Sequence, residues 1–181
     1  MTPLRRPTKP PTSIGLAERY PPARYLWLIG FLAALAMASE ADAGGLFPSR
    51  TFAAGDSPIA VAVADLDGDS VPDLVTANAG SDDVSVLRGN GDGTFQAAVS
   101  FAAGNAPVSI AVADLDGDSV SDLVTSNRFS DDVSVLLGNG DGSFQAAASF
   151  AAGDRPRSVA VADLDGDSVP DLVTANSAAM T

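Results

Sequence analysis

The 181-residue chain contains no cysteine and no histidine, and beyond residue 43 it also has no lysine, glutamate, tyrosine or tryptophan. Without cysteine no disulfide can stabilise the fold, so packing or bound metal must do so. Without histidine, cysteine and lysine, most side chains that act as nucleophiles or general bases are missing. A sugar hydrolase would also need aromatic platforms, which tyrosine and tryptophan usually supply. We therefore predict that the protein is not an enzyme.

Basic residues are scarce as well. From residue 44 onward there are 20 aspartates against five arginines, which gives this part a formal charge of −15. A field of this sign repels nucleic acid and anionic membranes and attracts cations. Binding to nucleic acid is thereby excluded.

The N-terminal segment has the composition of an export signal. A basic, proline-rich lead precedes a 14-residue apolar run at 25–38, and small residues follow at 41–43. The run is shorter than the roughly 20 apolar residues that span a bilayer. We expect residues 1–43 to be a signal peptide, residues 44–51 a linker, and the protein to be secreted or at the cell surface. The alternative is a single-pass membrane anchor formed by residues 25–38.

The rest of the chain is a repeat of 49 residues. Copies 52–100 and 101–149 are identical at 37 positions, and a partial third copy occupies 150–181. The expected strands of the first copy are 58–64, 73–77, 84–88 and 94–101. The nearly continuous apolar strand 58–64 predicts burial on both faces, and a Gly-Asn-Gly-Asp-Gly turn precedes the last strand.

Four strands per unit, at a period between forty and fifty residues, are typical of a propeller blade. The predicted fold is therefore all-β, with two full four-stranded blades and a partial third that form an incomplete β-propeller.

Each copy contains an Asp-rich loop with carboxylates at its first, third, fifth and ninth positions. These residues are Asp65, Asp67, Asp69 and Asp73; Asp114, Asp116, Asp118 and Asp122; and Asp163, Asp165, Asp167 and Asp171. Four acids this close repel one another unless a cation lies between them. Calcium suits the site because it accepts about six to eight oxygen ligands in flexible geometry. The sequence predicts three calcium sites, and the alternative is a solvated acidic turn that binds nothing.

The seventh loop residue is expected to add its backbone carbonyl as a ligand, and it is Val71, Val120 or Val169 in the three copies. The loop is not an EF-hand, since Ser70 and Thr76 stand where that motif needs glycine and glutamate. A strand enters the loop and a strand leaves it. We therefore expect calcium to pin a β-hairpin, which is a structural role.

The stretch DLDGDSVPDLVTAN at 65–78, followed by VSVLRGNGDGTFQ at 84–96, resembles the FG-GAP/VCBS-type repeat of integrin α-chain propellers and of many secreted bacterial proteins. The resemblance covers about residues 52–176. It implies a propeller blade with calcium in the hairpin between its first two strands, held by the aspartates named above.

The chain departs from that pattern in two ways. The family usually has glycine at the sixth loop position, where this chain has Ser70, Ser119 and Ser168; this implies local strain or weaker binding. Such propellers usually close with about seven blades. Two blades and a part imply self-association of several chains, a truncated piece of a longer protein, or poor stability alone.

Three functions remain open from the sequence. The first is an exported, calcium-binding, non-catalytic module for protein interaction or cell adhesion, whose partner is an unknown protein or surface ligand. The second is a fragment of a longer propeller protein without independent function, and the third is a propeller-type hydrolase that uses paired aspartates. Arg128 and Phe129 replace Ala79 and Gly80 of the first copy. They are either binding anchors or neutral drift between copies.

Overall fold

The computed structural model describes residues 50–177. This part of the chain contains β-strands and turns and no helix. The expected signal peptide or anchor at 1–43 lies outside the described residues, as does nearly all of the linker. Within the described part, we find no helix with the length and apolar character needed to cross a membrane.

The strands form three antiparallel sheets, one per sequence repeat. The first sheet contains β1 (Pro58–Ala64), β2 (Asp73–Asn78), β3 (Asp83–Leu87) and β4 (Val99–Ala102). The second contains β5 (Pro107–Ala113), β6 (Asp122–Asn127), β7 (Asp132–Leu136) and β8 (Ala148–Ala151). The third contains β9 (Pro156–Ala162) and β10 (Asp171–Asn176). Neighbours in sequence are neighbours in each sheet, so the all-β, blade-like, incomplete propeller architecture is confirmed.

The fourth strand differs from its expected position at 94–101. After the glycine turn, Phe95 forms a single bridge to Gly89, and the Gln96 N–H donates to the Arg88 carbonyl at 2.8 Å. The chain then leaves the sheet and rejoins it only at Val99, where β4 begins. The prediction was wrong here because the turn closes on itself before the strand starts.

The expected burial of strand 58–64 on both faces is also wrong. Ile59, Val61 and Val63 are 59%, 40% and 53% exposed, while the alanines between them are half-buried. Ala62 and Ala64 pack against an apolar cluster formed by residues of the first and second repeats. Nothing among the described residues covers the opposite face of β1, so its alternate side chains stay in solvent.

Two apolar clusters lie between the sheets. The cluster between the first and second sheets contains Leu66, Val75, Val84, Val86, Leu123, Leu136 and Phe144. The rings of Phe101 and Phe144 meet edge to face within it, with centroids 5.4 Å apart. The cluster between the second and third sheets has only Val124, Val133 and Val159 as buried members. Because the sheets pack face to face, the loops between the first two strands of each sheet lie in equivalent positions.

Candidate metal centre

The three Asp-rich loops connect the first two strands of each sheet, and each curls through two residues with positive φ. In the first loop these are Gly68 and Ser70, at 77° and 65°. The equivalent serines, Ser119 and Ser168, have φ of 68° and 69°. The left-handed conformation costs a non-glycine residue about 1 kcal/mol or more. The sequence had pointed to strain at this serine, and the structure locates it in the backbone.

The curl brings together three of the four predicted carboxylates in each loop. Asp65, Asp67 and Asp73 each have a carboxylate oxygen within 4.8 Å of the others. The other two groups are Asp114, Asp116 and Asp122, and Asp163, Asp165 and Asp171. The first, third and ninth loop positions therefore form one oxygen cluster three times over.

The fifth position lies outside these groups. The carboxylate of Asp69 accepts a hydrogen bond from the Val71 N–H at 2.7 Å, and Asp118 and Asp167 do the same with Val120 and Val169 at 2.8 Å. The structure thus gives the seventh residue a contact through its N–H. Its carbonyl as a metal ligand stays a prediction.

Backbone amides support the carboxylates at the mouth of each loop. Asp65 accepts from the N–H of Gly68 at 2.7 Å and of Ser70 at 2.9 Å, one on each oxygen. The second and third loops repeat both bonds. Donated N–H groups favour the charged carboxylate. Each oxygen retains a lone pair with which to bind a cation.

The ninth residue has a second role that sequence reasoning missed. Asp73 is fully buried, and its two oxygens accept from the N–H of Leu66 at 2.8 Å and of Gly89 at 2.7 Å. It therefore ties the loop to the end of β3. A Cβ on Gly89 would collide with the Pro72 carbonyl, so only glycine fits there. The recurrence of this glycine 16 residues after the aspartate was the available sequence signal.

The second and third loops differ in the hydrogen bonds that their ninth residues, Asp122 and Asp171, accept. Asp122 makes both bonds, to the N–H groups of Leu115 at 2.7 Å and of Gly138 at 2.8 Å. Among the described residues, Asp171 accepts only from Leu164, at 2.9 Å. Within the part that the structure describes, Asp171 thus ties the third loop to its own strands alone.

Two of the clustered carboxylates, those of Asp67 and Asp116, have a raised pKa. Partial removal from water raises the pKa of Asp67, and repulsion by Asp73 and Asp69 adds to this, while the Asp69 N–H opposes it. Loss of hydration likewise raises the pKa of Asp116. Neighbouring carboxylates cause the smaller part of each rise, and a cation would relieve that part.

The first loop is also held by the second sheet. The N–H of Gly142 donates to the Leu66 carbonyl at 3.1 Å, and the Ser121 hydroxyl donates to the Asp65 carbonyl at 3.2 Å. Arg88 reaches the Asp141 carbonyl at 3.4 Å and the Gln96 side chain at 3.0 Å. Neighbouring repeats therefore touch through the metal loop itself.

The candidate binding residues Arg128 and Phe129 lie on the turn between β6 and β7. The Arg128 guanidinium stacks over the Phe129 ring at 5.3 Å from its centroid, and Phe129 is 63% exposed. In the described part, aspartate is the only side-chain carboxylic acid, and histidine, cysteine and lysine do not occur.

Antiparallel blades that each carry an Asp-rich loop between the first two strands define a propeller-like repeat protein. The family model for the FG-GAP-like repeat matches residues 65–125 and 121–174, and the chain belongs to this family. No curated protein matches the chain. Repeats of this family are typically non-catalytic modules, and three Asp clusters able to hold a metal ion agree with that role.

Proposed function

We propose that the protein is an exported, non-catalytic repeat module that binds calcium in its three hairpin loops and engages a protein or surface ligand. The observation that carries the metal assignment is the threefold recurrence of one geometry. In every loop, carboxylate oxygens from the first, third and ninth positions lie within 4.8 Å of one another.

The donor set favours calcium over other metals. The loops offer oxygen atoms only, since the described part has neither the histidine nor the cysteine that zinc and copper prefer. Magnesium demands near-ideal octahedral geometry and keeps its waters, whereas calcium accepts irregular oxygen shells. Three carboxylates, a backbone carbonyl and water suit calcium best.

The geometry supports a structural role for the ion. A cation held by Asp65 and Asp67 at the loop mouth and by the buried Asp73 would join the loop to the base of the hairpin. Binding to the folded state alone stabilises that state by mass action. The pKa of Asp67 is raised mainly by partial removal from water and further by repulsion from Asp73 and Asp69, and a bound cation would offset that repulsion.

Export and adhesion rest on separate observations. The basic lead and the apolar run at 25–38 support export, and the exposed Phe129 with its stacked Arg128 supports a binding surface. Expression with the natural leader and N-terminal sequencing of the secreted product tests the export step. A mature N-terminus near residue 44 is expected, whereas retention of the apolar run in a membrane fraction would favour the anchor.

Calorimetric titration with calcium tests the metal assignment. The wild type should bind three ions and unfold at a higher temperature with calcium than with EDTA. Replacing Asp65 and Asp163 with asparagine should reduce the stoichiometry to one.

The matched control replaces Asp56 and Asp154 with asparagine, which removes the same charge outside the loops. The second copy already has Asn105 at this position, so the change suits the fold. The control should still bind three ions. Equal losses in both variants, or no calcium heat in the wild type, would contradict the proposal.

A further inference from the structure

Two of the six asparagines in the described part lie in the glycine turns, and both are followed by glycine. Asn90 and Asn139 are exposed, and each backbone N–H donates to the carbonyl four residues later, at 2.9 and 3.0 Å. Their side-chain amides donate to the Thr94 and Ser143 hydroxyls, both at 2.9 Å. Asn139 belongs to the second repeat, which has a described repeat on each side.

The backbone N–H that follows each asparagine separates these two from the rest. The N–H groups of Gly91 and Gly140 donate to no acceptor among the described residues. The N–H groups that follow the other four asparagines are all held, at 2.8–3.1 Å: Ala79 by the Ser57 carbonyl, Ala106 by the Asp82 carboxylate, Arg128 by the Ala106 carbonyl and Ser177 by the Arg155 carbonyl. A held N–H must first break its hydrogen bond before its nitrogen can react.

A free backbone N–H next to an asparagine side chain permits one specific reaction. The Gly140 nitrogen gives its proton to water and attacks Cγ of Asn139, while the bond from Cγ to Nδ2 breaks and ammonia leaves with a proton from water. The cyclic imide that results adds one water and opens at either carbonyl, to aspartate or to isoaspartate. Glycine favours the attack because it has no side chain to shield the nitrogen and its backbone is mobile.

We propose that Asn139 and Asn90 are sites of spontaneous deamidation in this protein. Asparagine is among the thermolabile residues of proteins. Water is the only co-reactant, and the net change at each site is an amide and water giving a carboxylate and ammonium. Each event therefore adds a negative charge to a glycine turn. Neither calcium nor a partner takes part in the reaction.

The two turns differ in what a modification would disturb. Turn 138–142 holds the Asp-rich loop of the preceding repeat, because the Gly142 N–H donates to the Leu66 carbonyl at 3.1 Å. Turn 89–93 instead accepts a hydrogen bond from Arg50, on the Gly93 carbonyl at 3.1 Å. Isoaspartate adds a CH₂ group to the main chain. At position 139 it should therefore displace the contact between Gly142 and loop 65–73, which is a candidate metal loop.

Incubation of the full chain at mildly alkaline pH, followed by digestion and mass spectrometry, measures the reaction at each asparagine. Deamidation replaces NH with O in the mass of a peptide, and electron-transfer fragmentation distinguishes isoaspartate from aspartate. Asn139 and Asn90 should react about tenfold or more faster than each of the other four asparagines, because their following N–H groups are free and belong to glycine. Equal rates at Asn139 and Asn105 would contradict the proposal.

A matched variant, Ala106→Gly, separates the effect of the fold from that of the Asn-Gly sequence. It gives Asn105 a following glycine whose N–H is still held by Asp82, and the φ of 53° at this position suits glycine. In the folded variant, Asn105 should react about tenfold or more slowly than Asn139. In concentrated urea the two rates should agree within about twofold. A fast reaction at Asn105 in the folded variant would show that the free N–H does not select the sites.

Hydrogen exchange tests the effect on loop 65–73. In the absence of calcium, the isoaspartate form at position 139, purified by ion exchange, should exchange the Gly142 amide faster than the unreacted chain. The variant Asn139→Asp adds the charge without lengthening the main chain, and its Gly142 amide should exchange as in wild type. Unchanged exchange in the isoaspartate form would overturn the displaced contact. Since no measurement here uses calcium, a failure of the calcium sites proposed above is detected separately, by calorimetry.

Discussion

The interface between the first and second sheets is closed, while the interface between the second and third is half open, although the same repeat builds both. Leu123 is fully buried in the first, but Leu172, one repeat later, is 37% exposed in the second. Leu66 is 2% exposed in the first interface, whereas its counterpart in the second, Leu115, is only partly buried. In a stacked repeat, burial depends on the neighbouring unit as much as on the residue.

The metal loops show the same contrast. Loop 65–73 receives hydrogen bonds from Gly142 and Ser121 of the next repeat. Within the described part, loop 163–171 receives no such bond from a following repeat. The same candidate ligand residues are therefore supported by different numbers of hydrogen bonds from a neighbouring repeat.

The largest effect should come from shortening a buried side chain in the core between the first and second sheets. Leu123→Ala should lower the free energy of unfolding by about 3 kcal/mol, because it leaves a cavity among buried side chains. Leu172→Ala should cost less than about 1 kcal/mol, since that side chain is partly in solvent. Urea unfolding followed by circular dichroism measures both. Equal costs would show that the two interfaces are closed alike.

A second test removes the carboxylate that ties each loop to its sheet. In EDTA, Asp122→Asn should cost about 2 to 3 kcal/mol, because an amide donor would then face one of two backbone donors in a buried site. Asp171→Asn should cost about 1 kcal/mol, since it has one such bond and is less buried. Thermal unfolding without metal distinguishes them, and a larger loss at Asp171 would reverse the comparison.

A third test asks whether backbone strain contributes to the difference between loops. Ser70 and Ser168 have nearly the same positive φ, 65° and 69°. Replacing either with glycine should stabilise the chain by about 0.5 to 1 kcal/mol, because glycine adopts this conformation without steric cost. The two gains should agree. Unequal gains would mean that strain, and not only the surroundings, differs between the loops.

The smallest effect concerns the glycine turns. Hydrogen bonds from the Thr94 hydroxyl and N–H lower the pKa of Asp92 below 3.8. A lowered folded-state pKa stabilises the protein above the unfolded-state value, and this contribution is lost as the pH falls through the lowered pKa. The Asp92→Asn variant should therefore have a slightly lower melting temperature than wild type at pH 7. It should lose less stability than wild type as the pH falls below about 4. Parallel melting curves of the two proteins at every pH would contradict this.

Much of the local structure could be predicted from the sequence. Strand 58–64 has the predicted bounds, and the Asp loops connect first and second strands as expected. Periodicity and turn residues report local conformation, so they locate strands well. They could not show that one face of β1 is uncovered among residues 50–177, since coverage depends on residues far away in the sequence.

The site was predictable as a ligand pattern but not as a network. Spacing alone placed Asp69 with Asp65 and Asp67; it did not show that the Asp69 carboxylate accepts from the Val71 N–H, and Asp69 as a metal ligand stays a prediction. Spacing also could not show that Asp73 binds Gly89, because that contact joins residues 16 positions apart across a sheet. Non-local hydrogen bonds leave only a weak trace in one sequence.

The hydrogen bonds from Gly142 and Ser121 have a consequence for how the chain would respond to its surroundings. Three equal sites fill together over a narrow span of calcium concentration. Three sites with the same ligand residues but different hydrogen bonds from neighbouring repeats fill at different calcium concentrations. The first to fill would be loop 65–73, which those hydrogen bonds already hold in place. We therefore expect the three loops to bind calcium one after another as its concentration rises, although their sequences are nearly the same. The order would follow from the position of each loop in the stack of repeats.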